Sequence, residues 1–173
     1  MDSNSRAAKM APTRSRWPSG VHELGSDTNT EPVSRAVAYH CTDYILRYML
    51  DMGSIFEFDY ERMAICLVIA NSNIQNIINV PEKFAPYTSV DVIIPAEMQR
   101  PATRSAIARA TGLPRETVRR KVAAMLDVGL LTTDTRGGLR LTPGILSTPR
   151  IADILARNQT NVRRLVRQVS TLL

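Results

Sequence analysis

Aromatic residues are scarce in this 173-residue chain: three phenylalanines, five tyrosines and one tryptophan make up 5% of it, although apolar residues as a whole reach 44%. Its apolar content is carried by leucine, isoleucine and valine spread along the sequence, the profile of a soluble and mostly helical protein. Cysteine is limited to Cys41 and Cys66, both inside apolar helical patterns, which excludes a disulfide framework and any metal-ligand spacing. A reducing compartment is the simpler reading. Histidine is limited to His22 and His40, and the sequence contains no phosphate-binding glycine loop and no nucleophile elbow, so neither an enzyme nor a cofactor is expected. Long hydrophobic runs are also missing. The longest, Met63 to Ala70, is far too short to span a bilayer, and Met1 to Thr30 lacks the apolar centre of a signal peptide, so the expected location is the cytoplasm.

What is present is a polarised charge. Residues 1–97 carry 8 basic and 12 acidic side chains, whereas residues 98–173 carry 14 basic and 4 acidic ones, a net −4 followed by a net +10. A basic half of that kind suits a polyanion, because each neutralised phosphate releases a condensed counterion.

Four segments follow from the patterning. Residues 1–32 are rich in Ser, Thr and Pro and carry Arg6, Lys9, Arg14 and Arg16 beside Trp17, which reads as a disordered basic tail. Residues 33–98 read as a helical support and dimerisation region. Val37, Cys41, Tyr44, Ile45, Tyr48 and Met52 share a helical stripe that Gly53 is expected to end. Asp59 is the expected N-cap of a second helix running toward Pro81 through Met63, Cys66, Leu67, Ala70, Ile74, Ile77 and Ile78. Ile65, Val68 and Ile69 give that helix a second apolar side, which implies a partner. Between Pro81 and Pro101, the Val90 to Ile94 stretch fits either a short strand or a pinned loop. Residues 148–173 read as a C-terminal dimerisation helix, with Thr148 as N-cap, Pro149 at the first turn, and Ile151, Ile154, Leu155, Val162, Leu165, Val166, Val169 and Leu172 as an apolar stripe.

Residues 99–147 carry the functional signal. Thr103 can cap a short helix bearing Arg104 and Ser105, with Ile107 facing the core. Gly112 supplies a turn, Leu113 plugs the core and Pro114 opens the next helix. There Val118, Val122, Met125 and Leu126 form a buried stripe that leaves Arg115, Glu116, Thr117, Arg119, Arg120 and Lys121 outside. An arginine can donate two hydrogen bonds to guanine, and a carboxylate among arginines can accept one from cytosine. Gly129 ends the helix, and Leu130 to Thr132 and Leu139 to Leu141 alternate as strands about Arg136-Gly137-Gly138, a hairpin that carries Arg136 and Arg140 toward a phosphate or the minor groove.

Residues 103–142 resemble the winged helix-turn-helix of bacterial regulators, and the run RETVRR is similar to the reading helix of the cyclic-AMP receptor type proteins. That resemblance implies base contacts for Arg115, Glu116 and Arg120 and a phosphate contact for Thr117. Cyclic-AMP binding does not carry over, since the first 100 residues read as helices rather than as the family's barrel. Helices on both sides of the winged segment resemble the small multiple-antibiotic-resistance type regulators in architecture.

The expectation is thus a mainly α fold with two N-terminal helices, a winged helix-turn-helix with a small β-hairpin wing, and a C-terminal helix. Its expected function is sequence-specific binding of double-stranded DNA by a homodimeric regulator, most simply a repressor, through Arg104, Ser105, Arg115, Glu116, Thr117, Arg119, Arg120, Lys121, Arg136 and Arg140. The alternative is a winged-helix protein interaction module or a non-specific DNA-associated protein. An unidentified small-molecule effector has room between the helical and basic regions.

Overall fold

The computed structural model describes residues 34–173, so the expected basic tail lies outside the described residues. Helix α1 (Arg35–Gly53) begins at Ser34, whose hydroxyl accepts the Val37 N–H. Gly53 is the last helical residue, the end the sequence suggested, although it does not close the helix as a left-handed cap. Its φ is −56°, and the chain continues as a 3-10 turn over Ser54–Phe56 before reversing at Glu57 and Phe58, both in the left-handed region. A Cβ on Gly53 would meet the Phe58 and Tyr60 rings at 3.1 and 3.3 Å, so these two exposed rings would have to give by a few tenths of an ångström to admit one.

Helix α2 (Tyr60–Ile74) starts at the expected cap, with the Asp59 carboxylate accepting the Arg62 N–H at 3.0 Å. It ends earlier than its apolar stripe, dissolving into hydrogen-bonded turns that still bury Ile77. Ile65 and Ile69 are fully buried by the chain itself, so the second apolar side of α2 needs no partner, contrary to the sequence expectation. Short helix α3 (Pro81–Phe84) and a 3-10 turn at Ala85–Tyr87 follow, and Val90 to Ile94 form a loop rather than a strand.

Helices α4 (Arg104–Thr111) and α5 (Arg115–Asp127) are joined by Gly112 at φ +69°. Thr103 caps α4 by accepting the Ala106 N–H. Strands β1 (Leu131–Thr133) and β2 (Leu139–Leu141) pair antiparallel, Leu131 with Leu141 and Thr133 with Leu139. Thus β1 begins one residue later than expected. Ala102, just before α4, exchanges both backbone hydrogen bonds with Leu139, at 2.8 and 3.0 Å, adding a third short rung to the hairpin. Helix α6 (Pro149–Val169) follows a 3-10 turn at Ile145–Ser147; the Thr148 hydroxyl bonds back to the Ile145 carbonyl and does not cap α6.

The chain is therefore mainly helical with one small antiparallel sheet among the described residues. A continuous core joins Met52 of α1, Ile65 and Ile69 of α2, Ile107 of α4, Val118, Val122 and Met125 of α5, Leu131, Leu139, and Ile154 of α6. Cys66 belongs to it, and burial pushes its thiol up to about 12, so it stays protonated and inert. Helix α6 lies along α1, tied by the Tyr44 hydroxyl to Asn158 at 3.1 Å and by Arg157 to Asp51 at 3.3 Å. Among the described residues no helix is long and apolar enough to cross a membrane.

Candidate nucleic-acid interface

The geometry of α5 follows from its burial. Val118, Val122 and Met125 are fully buried, so the opposite side, the row Glu116, Arg120, Ala123 and Asp127 at spacings of four, three and four, faces solvent. Arg115 and Arg119 flank that row at the N-terminal end, exposed, whereas Thr117 is half-buried on the other flank. Pro114 precedes the helix without a side-chain cap, so the first N–H groups of α5 have no side-chain acceptor. Small Ala123 in mid-row keeps this face low enough for close approach by a flat or grooved surface.

Glu116 is not an isolated acid. Both Arg119 nitrogens, Nε at 2.8 Å and Nη2 at 2.6 Å, donate to its carboxylate one turn away. That hydrogen bond and the nearby Arg119 and Arg120 charges hold the Glu116 carboxyl below its ordinary value, leaving it ionised at neutral pH. The pair is about two-thirds exposed on both sides, so solvent screens it and it is readily exchanged for other partners.

Lys121 departs from expectation. Its ammonium turns inward to Asp59 at 2.5 and 2.7 Å and to Glu61 at 3.2 Å, and its side chain is 14% exposed. It fastens α5 to the start of α2 instead of standing on the outer face. Burial pushes the Asp59 carboxyl up, but the Lys121 and Arg62 hydrogen bonds and charges outweigh it and leave the group below its ordinary 3.8.

The hairpin turn is organised by Asp134. Its Oδ1 accepts the N–H groups of Arg136 at 2.9 Å and Gly138 at 2.7 Å, and its Oδ2 takes Arg140 Nη1 at 3.2 Å. These donors, Gly138 first, hold its carboxyl below the usual range. Arg140 is thereby bound to the hairpin's own base, with an 18% exposed side chain, while Arg136 projects exposed from the tip. Thr103, Asp134, Arg136 and Arg140 line one recess, so the start of α4, with exposed Arg104 and Ser105, adjoins the hairpin turn. Among the described residues Arg104, Arg115, Arg120 and Arg136 make no ion pair.

Asn73 is the residue sequence reasoning missed. Only 5% exposed, it donates through Nδ2 to the Arg100 and Leu139 carbonyls at 3.1 and 3.3 Å and accepts the Leu141 N–H at 3.0 Å. One amide thus locks α2 to strand β2 and to the segment entering α4. An asparagine in a run of Asn71, Asn73, Asn76 and Asn79 has no local signal that marks it as the buried one. Asp134 was more legible, being a turn-forming acid four residues before a glycine.

Comparison of the chain with protein-family models, with curated proteins and with solved structures finds no match.

Proposed function

We propose that residues 103–142 form a winged helix-turn-helix that reads double-stranded DNA, with α5 in the major groove and the β1–β2 hairpin as the wing. The observation that carries this reading is the outer row of α5. Exposed Arg115 and Arg120 without ion pairs among the described residues, an acid held by a weak exchangeable contact, and a small Ala123 leave a low, basic reading surface opposite a fully buried stripe. Arg115, Glu116 and Arg120 contact base edges. Arg119, Thr117, Arg104, Ser105 and Arg136 serve the phosphates. Lys121 and Arg140 hold the reading helix and the wing in place.

The protein acts as a homodimer. Tyr39, Leu46 and Leu50 of α1, at spacings of seven and four, form an exposed apolar row, as do Val162 and Val166 of α6, and a second copy would cover them. A two-fold axis there pairs two reading helices on an inverted repeat. Occupying a promoter is enough to repress it, so repression is the simplest outcome.

Arg120→Ala tests the reading directly when its affinity is measured on a binding site and on single base-pair variants of it. The expected loss is about 1–3 kcal/mol, confined to one base position where preference relaxes. A uniform loss on all sequences would favour a protein interaction module or non-specific DNA association.

A further inference from the structure

A cavity of about 250 Å³ lies behind the hairpin, between α2, the loop after α3 and the chain leaving β2. Ala70 and Ile74 form one wall, Phe84 and Tyr87 a second, and Leu141 and Ile145 a third. None of the described residues lining it carries a charge, although 22% of the chain does; its polar groups are hydroxyls and amides. Val92 and Ile93 stand at its mouth 44% and 56% exposed, apolar surface that folding alone leaves in water. The loop bearing them is fastened by two side-chain bonds, Ser147 Oγ to the Val90 carbonyl at 2.9 Å and Gln99 Nε2 to the Ile94 carbonyl at 2.7 Å.

We infer that this cavity is a binding site for a neutral, apolar small molecule of about two rings, and that occupancy braces the end of the hairpin. Size and charge set the class. A cavity of roughly 150 Å³ suffices for benzene, so this one accommodates a second ring, and an anion or cation would be stripped of water here without a counter-charge. The bracing follows from shared residues. Asn73 and Leu141 line the cavity, and the same two residues make the bond that anchors β2 to α2. A ligand that fits only the closed wall must oppose every opening that breaks that bond.

1-Naphthylamine, neutral at pH 7 and fluorescent, is the probe, with 4-aminonaphthalene-1-sulfonate as its charged counterpart on the same skeleton. The full chain should bind the neutral probe saturably at one per protomer and the sulfonate about tenfold more weakly or less well still. Ala70→Phe, which fills the cavity, and Val92→Asp, an exposed position that places a charge at the mouth, should each abolish or strongly weaken that binding. The second variant keeps the test open should the first not fold. At about ten times Kd of the neutral probe, exchange of the Leu141 amide should slow about tenfold. Absence of saturable binding, equal binding of the sulfonate, or full binding in Val92→Asp would overturn the site. Unchanged Leu141 exchange at saturation would overturn the bracing. Neither readout involves DNA, so failure here leaves the DNA-binding reading untouched.

Discussion

Two side chains and two glycines decide how rigidly the basic surface is presented. Asn73 satisfies three backbone groups from a buried position, and its loss leaves the Leu141 N–H without a partner, while the Arg100 and Leu139 carbonyls keep the Ser72 hydroxyl and the Ala102 N–H. Asn73→Ala should therefore cost about 1–3 kcal/mol in urea unfolding, and a change within about 0.5 kcal/mol would show that water replaces it. Asp59 makes a pH-dependent contribution. Its carboxyl lies below its ordinary 3.8 in the folded chain, so the stability it adds is complete above that value and is lost as pH falls through the lower folded value. The stability difference between wild type and Asp59→Asn, which retains the helix cap, should be about 1 kcal/mol at pH 7 and shrink below about pH 4. At the hairpin tip two adjacent glycines are required for different reasons. A Cβ on Gly138 would lie 2.7 Å from both Asp134 Oδ2 and Pro101 Cβ, whereas Gly137 has open space but a φ of +74°. Gly138→Ala should cost about 1–3 kcal/mol by crowding, and Gly137→Ala about 1 kcal/mol by backbone strain, separable by thermal unfolding.

At the scale of elements, the helices were legible where side-chain chemistry is local. Asp59 and Thr103 cap as their residue types suggest, Gly112 takes its left-handed turn, and the Val118, Val122, Met125 stripe is buried as spaced. What the sequence could not supply was tertiary competition. The apolar stripe of α2 runs on to Ile78, but the Asn73 side chain and the Arg100 N–H engage backbone from distant segments, and the helix gives way to turns after Ile74. Periodicity likewise cannot say which apolar face finds a partner within its own chain. Among the described residues the second side of α2 does so; the outer rows of α1 and α6 do not. Val166→Glu should leave the monomer fold intact, since Val166 is 57% exposed, and should shift sedimentation from twice the 19.2 kDa chain mass to the chain mass itself. A wild-type chain that sediments as a monomer at micromolar concentration would remove the dimer from the proposal.

For the whole molecule, charge and architecture point the same way. The acidic first half supplies Asp59 and Glu61, which hold α5 through Lys121, while Arg104, Arg115, Arg119, Arg120 and Arg136 remain exposed on the outside of α5, the start of α4 and the hairpin tip. Part of the charge read from sequence is thus structural: Lys121, Arg140 and Arg157 are held by internal carboxylates. The remaining surface is smaller and better defined than the net +10 implied. Selection of binding sites by the purified protein from a random duplex library at near-physiological salt tests the central claim. The account predicts an enriched inverted repeat whose half-sites lie about one helical turn apart, roughly 34 Å centre to centre. Binding that enriches no sequence and merely falls steeply with salt would contradict it, reducing the basic surface to a phosphate attractant.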